Sequence, residues 1–307
     1  MERIVCSFDG GKGPLFVVSA AMHGNEQAGI AALKEVHKIL TIEKNTNPDF
    51  TFFGTFVGLI GNKQAVENNV RYIENDLNRM WESDFVYQVL KEDLSSQKNE
   101  VKEMHEIILS LREYVLTGKF SKLYLLDLHT TSSDGIFVIC TEDEESKRLA
   151  GQLHAPLVRG LLKGISGTTL HYFNKNNLGI AATALAFEGG HHEDPLSVKR
   201  MVAAVFNCMK SIGCIHHINE QKTNDEVLMT YAADLPQSVE VIYKYHVQDK
   251  LSWEMKPGFT NFDPVTKGQY LAHDITGPVY SPVDGLILMP LYQKKGRDGF
   301  FIVKPLS

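Results

Sequence analysis

The sequence lacks the features that mark several common classes of protein. No apolar run approaches the roughly 20 residues of a membrane-spanning helix, so we expect no membrane partner. The first residues, Met1-Glu2-Arg3-Ile4, carry neither the basic nor the apolar segment of a secretory signal, which predicts a cytoplasmic location. Basic residues are not in excess, because 31 Lys and Arg stand against 37 Asp and Glu. That balance argues against nucleic acid as a partner.

Cysteine is scarce, and two familiar reactive motifs are missing. The four cysteines form no Cys-x-x-Cys pair, which argues against a zinc ribbon or a thioredoxin-like site. No Gly-x-Ser-x-Gly sequence is present, which argues against a serine hydrolase with a nucleophile elbow. Reactive chemistry must therefore come from other side chains.

Apolar runs alternate with amphipathic stretches along most of the chain. Leu15–Met22, Leu123–Leu128 and Thr183–Glu188 have the apolar character of buried strands. Glu26–Leu40 and Ser96–Leu116 have the apolar spacing of helices. This alternation predicts an α/β fold with a mixed, mostly parallel sheet and helices on both faces.

The character of the sequence changes after about Cys214. Asn219–Glu226 is polar and predicts a linker. Val239–Val247 then alternates like a strand with two different faces, and glycines separate the short β-like runs that follow it. We therefore predict a catalytic domain over residues 1–212 and a smaller, β-rich domain over residues 213–307.

Four short segments hold most of the side chains that could support catalysis. They are His23-Gly24-Asn25-Glu26, Arg71 with Asn78-Arg79, Asp127-Leu128-His129 and Phe187-Glu188-Gly189-Gly190. His23, Glu26 and His129 form the three-ligand set of a catalytic zinc site with one position left for water. Asp127 points to the same side of its strand as His129, where a carboxylate can fix the tautomer of a ligating imidazole.

The remaining side chains of these segments can bind an anion or move a proton. Arg71 and Arg79, with Asn78, supply donors for a carboxylate or an oxyanion. Glu188 ends an apolar run, where a desolvated carboxylate has a raised pKa and suits proton transfer near neutral pH. Together the segments predict a metal-dependent hydrolase that cleaves an amide next to an anionic group.

Each segment alone also fits a purely structural role. His23 and Glu26 could cap a helix, and the arginines could pair with acidic neighbours in a solvated loop. Three of the segments, however, follow predicted strands directly. Because ligands of open α/β sheets bind at the carboxyl ends of strands, this placement favours a common site.

Taken together, the segments resemble the succinylglutamate desuccinylase/aspartoacylase family, a branch of the zinc carboxypeptidase fold. The His-Gly-Asn-Glu, Arg-Tyr-Ile-x-x-Asp-Leu-Asn-Arg, Asp-Leu-His-Thr-Thr and Phe-Glu-Gly-Gly sequences occur in the order and spacing of that family. The resemblance runs over most of the chain. It implies one Zn²⁺ per chain, held by His23, Glu26 and His129, and a small anionic N-acyl amino acid as the substrate.

The resemblance also implies roles for the other site residues. Glu188 would act first as the general base and then as the acid, and Arg71 would stabilise the oxyanion. Asn78 and Arg79 would bind the substrate carboxylate. Tyr292 would contact the substrate from the C-terminal domain, which would cap the active site.

One position departs from the aspartoacylase pattern, which has a substrate-binding arginine shortly before the catalytic glutamate. Here that position falls near Leu178, and Lys175 is the nearest candidate replacement. An N-succinyl or other N-acyl amino acid is therefore at least as good a candidate substrate as N-acetylaspartate. Lysine cannot reproduce the bidentate pairing of an arginine.

Two other functions stay open, as do the substrate, the metal and the oligomeric state. A zinc carboxypeptidase acting on short peptides would use the same ligands and the same glutamate, and a non-catalytic binding module would keep the fold. The sequence does not identify the acyl group or the amino acid. It does not fix the metal, because Co, Mn and Ni accept the same ligand types, nor whether the chain forms a homo-oligomer.

Overall fold

Strands and helices alternate along the chain, as the computed structural model shows for residues 1–117, 119–217 and 221–306. The strands are β1 (Ile4–Asp9), β2 (Leu15–Ala20), β3 (Thr51–Phe52), β4 (Thr55–Ile60), β5 (Lys122–Thr131), β6 (Phe137–Cys140), β7 (Leu157–Arg159), β8 (Ala181–His191), β9 (Ile215–His216), β10 (Ser238–His246), β11 (Glu254–Met255), β12 (Pro264–Val265), β13 (Tyr270–Asp274), β14 (Gly277–Tyr280), β15 (Gly285–Leu288) and β16 (Asp298–Pro305). The helices are α1 (Ala28–Thr46), α2 (Lys63–Glu67), α3 (Ser83–Val89), α4 (Asn99–Leu116), α5 (Glu144–Gly151), α6 (Thr169–Tyr172), α7 (Lys175–Leu178), α8 (Leu196–Ser211) and α9 (Gln221–Tyr231). Short 3-10 turns cover Leu77–Arg79, Leu94–Ser96 and Leu161–Gly164. In the parts of the chain just given, no helix is long and apolar enough to cross a bilayer.

An eleven-stranded sheet organises the chain, in the order β1-β4-β2-β5-β8-β6-β7-β10-β16-β15-β12. The central strands β4, β2, β5 and β8 run parallel to one another. Antiparallel pairs join β1 to β4, β6 to β8, and the C-terminal strands β10, β16, β15 and β12 in turn. The predicted α/β fold with a mixed, mostly parallel sheet is confirmed.

Side chains of the central strands alternate between two apolar cores. Phe16 and Val18 of β2 lie in the core formed with α1 and α8, and Leu15 and Val17 lie in the core formed with α4. A strand covered by helices on both faces must be apolar at successive positions, which is why β2 is fully buried. The helices therefore lie on both faces of the sheet, as predicted.

The C-terminal strands continue this sheet and also form a second, small one. β10 pairs in parallel with β7, while β11, β13 and β14 form a separate three-stranded sheet with its own apolar core. The division of the chain at residue 212 stays a prediction.

The predicted linker at 219–226 is wrong where the structure describes it. Residues 219 and 220 lie outside the described part of the chain, but residues 221–226 begin α9. The first turn of this helix is polar in sequence, and its apolar residues come later. Val227, Leu228 and Tyr231 pack on the core that α8 also lines, and this packing outweighs the low apolar content of the first turns.

Candidate metal and catalytic site

A tight turn after β2 brings His23 and Glu26 to the same place. The amide of Glu26 donates to the carbonyl of His23 at 3.0 Å, and the amide of Gly24 donates to the carbonyl of Arg71 at 3.1 Å. A Cβ at position 24 would lie 2.1 Å from the carbonyl carbon of Ala65, so no larger residue fits there. The turn thus fixes both side chains against the loop that carries Arg71.

Three side chains converge in a cluster that could hold a metal ion. The ligand atoms of His23, Glu26 and His129 all lie within 4.8 Å of one another, and all three side chains are buried. Glu26 Oε1 is 2.8 Å from Nδ1 of His23, and its Oε2 is 2.9 Å from Nδ1 of His129. Both imidazoles therefore turn the same ring nitrogen toward the carboxylate.

The other ring nitrogen of each histidine faces a second carboxylate. Nε2 of His23 lies 3.0 Å from Asp76, and Nε2 of His129 lies 3.0 Å from Asp127. An imidazole that donates its Nε2–H to a carboxylate keeps the lone pair of Nδ1 free for a metal ion. The donor set and its orientation therefore fit a divalent cation.

The charges in the cluster shift the pKa values in ways that also suit a cation. Burial alone would raise the pKa of Glu26, but His23 and His129 hold it well below its ordinary value. Burial opposes protonation of His129, yet Asp127 and Glu26 outweigh burial and raise its pKa well above its ordinary value. Positive charge is thus stabilised where the three ligand atoms meet.

Asp127 is itself fixed by two hydroxyl groups that the sequence did not suggest as site residues. Ser19 of β2 and Thr169 of α6 each donate a hydrogen bond of 2.7 Å to its carboxylate. Asp127 is fully buried, so these bonds compensate for the loss of water around its charge. The orientation of His129 therefore depends on three elements of the fold.

The loop after α2 brings Arg71 against the cluster. Its guanidinium donates to Glu26 at 3.4 Å and to Asp76 at 3.2 Å, while its buried Nε has no partner among the described residues. Asp76 therefore links Arg71 to His23. Burial would raise the pKa of Asp76, but His23 and Arg71 hold it well below its ordinary value.

A buried carboxylate on α4 holds this loop in place. Glu100 accepts hydrogen bonds from the amides of Ile73, Glu74 and Asn75 at 2.6, 3.1 and 3.1 Å, and also from the side chain of Asn62. Charge-assisted hydrogen bonds of this kind are among the stronger ones in proteins. Nothing in the sequence near Glu100 distinguishes it from other acidic residues of an amphipathic helix, so sequence reasoning missed it.

Asn78 and Arg79 lie at the end of the same loop. Asn78 accepts from the amide of Thr169 at 3.0 Å, and its amide nitrogen is 3.3 Å from Nε2 of His129. Arg79 pairs with Asp298 of β16 at 2.9 Å, and Lys244 of β10 also binds this aspartate at 2.7 Å. Asp298 is a further residue that sequence reasoning missed.

Glu188 lies next to His129, because these two residues are register partners of the neighbouring strands β8 and β5. The side chain of Glu188 is buried, and its Oε2 has no hydrogen-bond partner among the described residues. Burial, with a further contribution from the charge of Glu26, raises the pKa of Glu188 to about 7. The carboxyl group is thus close to half-protonated at neutral pH.

These side chains line one cavity of about 480 Å³. It contains His23, Glu26, Arg71, Arg79, His129 and Glu188, together with residues of the C-terminal strands such as Lys244 and Asp298. The structure therefore brings together all the residues predicted for metal binding and catalysis. Asn78 lies at the edge, in contact with His129.

Three positions that the sequence analysis considered do not line this cavity. The hydroxyl of Tyr292 accepts from the amide of Phe259 at 2.8 Å and lies 3.1 Å from the carbonyl of Lys256, so its contact with substrate stays a prediction. Leu178 packs on the core that α4 lines, and Lys175 does not line the cavity either. The suggestion that Lys175 replaces the aspartoacylase arginine therefore also stays a prediction.

The fold and the site define an α/β protein with a strand-end cluster of the kind found in metal-dependent hydrolases. The catalytic-domain model of the succinylglutamate desuccinylase/aspartoacylase family matches residues 12–212. The chain belongs to this family, and the predicted resemblance is confirmed.

Two curated relatives match part of the chain. A "Probable aspartoacylase" of Acaryochloris marina is 31% identical over 153 residues, which cover 47% of this chain and 45% of that protein. One of Prochlorococcus marinus is 29% identical over 119 residues, 38% of this chain and 34% of that protein. The chain thus matches less than half the length of either relative.

The solved structures cover almost the whole chain. The succinylglutamate desuccinylase/aspartoacylase of Rhodobacter sphaeroides has a TM-score of 0.67 at 16% identity, over 98% of this chain and 88% of that one. The product-bound ectoine utilization protein EutE (DoeB) of Ruegeria pomeroyi has a TM-score of 0.61 at 16% identity, over 97% and 87%. At these identities the likeness shows the shared fold.

The first prediction concerns the metal. We expect the protein to bind one Zn²⁺. Removing a hydrogen-bond partner of a ligand typically weakens metal affinity by roughly 10–100-fold, and His129→Ala, which removes a ligand itself, should weaken zinc affinity by more. Because the ligands must give up their protons, zinc binding should release protons and weaken as the pH falls. Calorimetric titrations in buffers of different ionisation enthalpy measure both effects. His216→Ala, at an exposed histidine, is the matched control; equal zinc affinity in the two variants would contradict the site.

The second prediction concerns Glu100. Glu100→Gln replaces one acceptor oxygen with an amide donor, so at least one of the hydrogen bonds to residues 73–75 must be lost. Hydrogen exchange of these amides should speed up by about tenfold or more. Exchange measured by mass spectrometry tests this, with Glu106→Gln on the same helix as the control. Unchanged exchange in the Glu100 variant would show that the loop is held by other contacts.

Proposed function

We propose that this protein is a zinc-dependent amidohydrolase that releases the acyl group from an N-acyl amino acid. The proposal depends most on Glu188, whose buried and unpartnered carboxylate oxygen shares a cavity with the His23, Glu26 and His129 cluster. Membership of the desuccinylase/aspartoacylase family supports the choice of substrate class. We propose Zn²⁺, one per chain, as the metal.

Glu188 would move the proton during the reaction. When bound, zinc would polarise the scissile carbonyl and make a water molecule more acidic. Glu188 is then the base that takes a proton from the attacking water, and the acid that gives it to the leaving amine nitrogen. A carboxyl group whose pKa is raised by burial is suited to both steps near neutral pH.

Arg71 and Arg79 would contact two different groups of the substrate, the scissile carbonyl and the carboxylate. The free Nε–H of Arg71 can donate to the developing oxyanion, while contacts to Glu26 and Asp76 hold the guanidinium in place. Arg79 would bind the substrate carboxylate, with Asn78 as a neutral donor beside it. Asp298 and Lys244 position Arg79 from the C-terminal strands.

The C-terminal part would limit the size of the substrate. Lys244 and His246 of β10 and Asp298 of β16 line the cavity together with Leu291 and Gln293. We propose that residues 213–307 cap the catalytic part formed by residues 1–212. A capped cavity of about 480 Å³ suits a small N-acyl amino acid better than a peptide.

The third prediction tests this function directly. Glu188→Gln should lower kcat for amine release by about 10²–10⁴-fold, because it removes the general base, and it should keep bound zinc. Amine release is measured over a panel of N-acyl amino acids and dipeptides with the zinc-loaded protein. Glu193→Gln, at an exposed position five residues further on, is the control and should keep full activity. Release from dipeptides alone would assign the protein to the carboxypeptidases, and normal activity of Glu188→Gln would contradict the role of Glu188.

The fourth prediction uses stability instead of turnover. In the metal-free protein the pKa of Glu188 rises from 4.5 to about 7, so the folded state binds this proton more tightly than the unfolded state. The resulting stabilisation is complete below pH 4.5 and is lost as the pH rises through about 7, and it amounts to about 3 kcal/mol. Glutamine at position 188 does not ionise, so the stability of Glu188→Gln lacks this dependence on pH. The melting temperature of the variant, relative to that of the wild type, should therefore be higher at about pH 8 than at about pH 5.

Thermal melts of the chelator-treated proteins at the two pH values measure this difference. The Glu193→Gln variant serves as the control and should follow the wild type at both. A difference for Glu188→Gln that does not change with pH would show that this carboxyl group has an ordinary pKa.

A further inference from the structure

A small chamber of about 60 Å³ adjoins the candidate site. Every charged residue that lines the chamber also lines the larger cavity, so the charged groups form the shared boundary. The residues that line the chamber alone are uncharged. Five of them are aliphatic: Ile139, Leu161, Leu162, Leu170 and Ala186.

Rigid parts of the fold supply this aliphatic lining. Ile139 lies on β6, Leu170 on α6, and Leu161 in a 3-10 turn, and all three are buried. Ala186 lies on β8 two residues before Glu188, so both side chains point to the same face of the sheet. The chamber therefore begins directly beside the proposed catalytic carboxyl group.

The polar groups that line the chamber alone have partners among the described residues. Asn78 bonds to the amide of Thr169 at 3.0 Å, and the hydroxyl of Thr168 lies 2.7 Å from Nδ1 of His171. The two boundary arginines, Arg71 and Arg79, are paired with carboxylates of the protein. Beyond the boundary where these arginines lie, the described lining of the chamber carries no cation, so a second carboxylate placed there would lose its water without gaining a cation of its own, which is costly.

Met289 lies on the shared boundary of the two spaces, because it lines both of them, as Ile165 also does. Its backbone has a φ of +52°, in the left-handed region that is uncommon for a residue with a side chain. The side chain of Asn261 accepts from its amide at 2.7 Å, and Asn261 in turn donates to the carbonyl of Gly135 at 3.2 Å. These contacts fix the backbone of Met289, and with it an apolar residue, at the shared boundary.

We infer that the chamber is a specificity site for an aliphatic group of the substrate, a conclusion that rests on the proposed function. The substrate then carries one carboxylate, bound at Arg79, and an aliphatic group in place of a second carboxylate. A cavity of about 150 Å³ holds a benzene ring, so about 60 Å³ has room for the last two or three carbons of such a group. This group belongs either to the amino acid or to the acyl chain.

Isosteric pairs of compounds test the inference and separate the two sources. One pair is N-acetyl-L-leucine and N-acetyl-L-aspartate, which differ in the amino-acid side chain. The other is N-(4-methylpentanoyl)glycine and N-succinylglycine, which differ at the end of the acyl chain. We expect the aliphatic member of one pair to have a kcat/KM at least about tenfold higher than its acidic counterpart. That pair then identifies the group that occupies the chamber.

Two variants change the chamber itself. Ala186→Val fills part of it and should reduce the preference for the favoured aliphatic substrate over N-acetylglycine by about tenfold. Ala182→Val makes the same change about 13 Å earlier on the same strand, outside both cavities, and should keep the preference. Leu162→Ala, at a half-buried position, enlarges the chamber and should shift the preference to a longer aliphatic group.

Binding to Glu188→Gln, measured by calorimetry with the same four compounds, distinguishes the possible failures. Tighter binding of the aliphatic member of a pair supports the specificity role of the chamber. If that member binds but the wild type hydrolyses none of the four compounds, the deacylase function alone is overturned. Equal or better binding and hydrolysis of the acidic members would overturn the chamber and leave the deacylase function standing. If none of the four compounds binds, both proposals are wrong.

Discussion

Glu26 is the residue on which the site depends, because its two oxygen atoms join parts of the chain that are far apart in sequence. Oε1 contacts His23 and Arg71, and Oε2 contacts His129 and accepts from the amide of Thr130. These contacts form only if β2 and β5 are paired in the observed register, in which Ala20 lies opposite Leu128. A shift of one residue would turn His129 to the other face of the sheet. The apolar core that fixes the register therefore also fixes the metal-binding geometry.

The groups around this centre form successive layers. Asp76 and Asp127 orient the two imidazoles, and Ser19, Thr169 and Arg71 orient these aspartates. The outer groups offset the cost of burying charge in the inner ones. Four carboxylates can therefore lie close to His23 and His129, namely those of Glu26, Asp76, Asp127 and Glu188. The same arrangement leaves Glu188 different from the others, since its Oε2 alone among these carboxylate oxygens is buried without a partner. A carboxylate left in this state is free for proton transfer.

The sequence predicted the site more fully at its centre than at its edges. His23, His129 and Glu188 could be found because each follows or ends an apolar strand, where a polar side chain needs an explanation. Glu100 and Asp298 could not, because each acts through a contact that only the folded chain creates; Asp298 lies 219 residues from Arg79. The helical start of α9 was missed for a similar reason, because packing on α8 and the core outweighs the local pattern there.

The loop from Arg71 to Arg79 is held from two sides, and this explains how the C-terminal strands can influence the site. Glu100 binds its backbone from α4, while Asp298 binds Arg79 and Lys250 contacts the hydroxyl of Tyr72 at 3.1 Å. The carboxylate of the proposed substrate would share Arg79 with Asp298, so its charge would be recognised at the same contact that joins the two parts of the chain. In the proposed function, Arg79 at the shared boundary and the aliphatic residues of the chamber divide the recognition between them. The first favours one carboxylate, and the second makes another one costly.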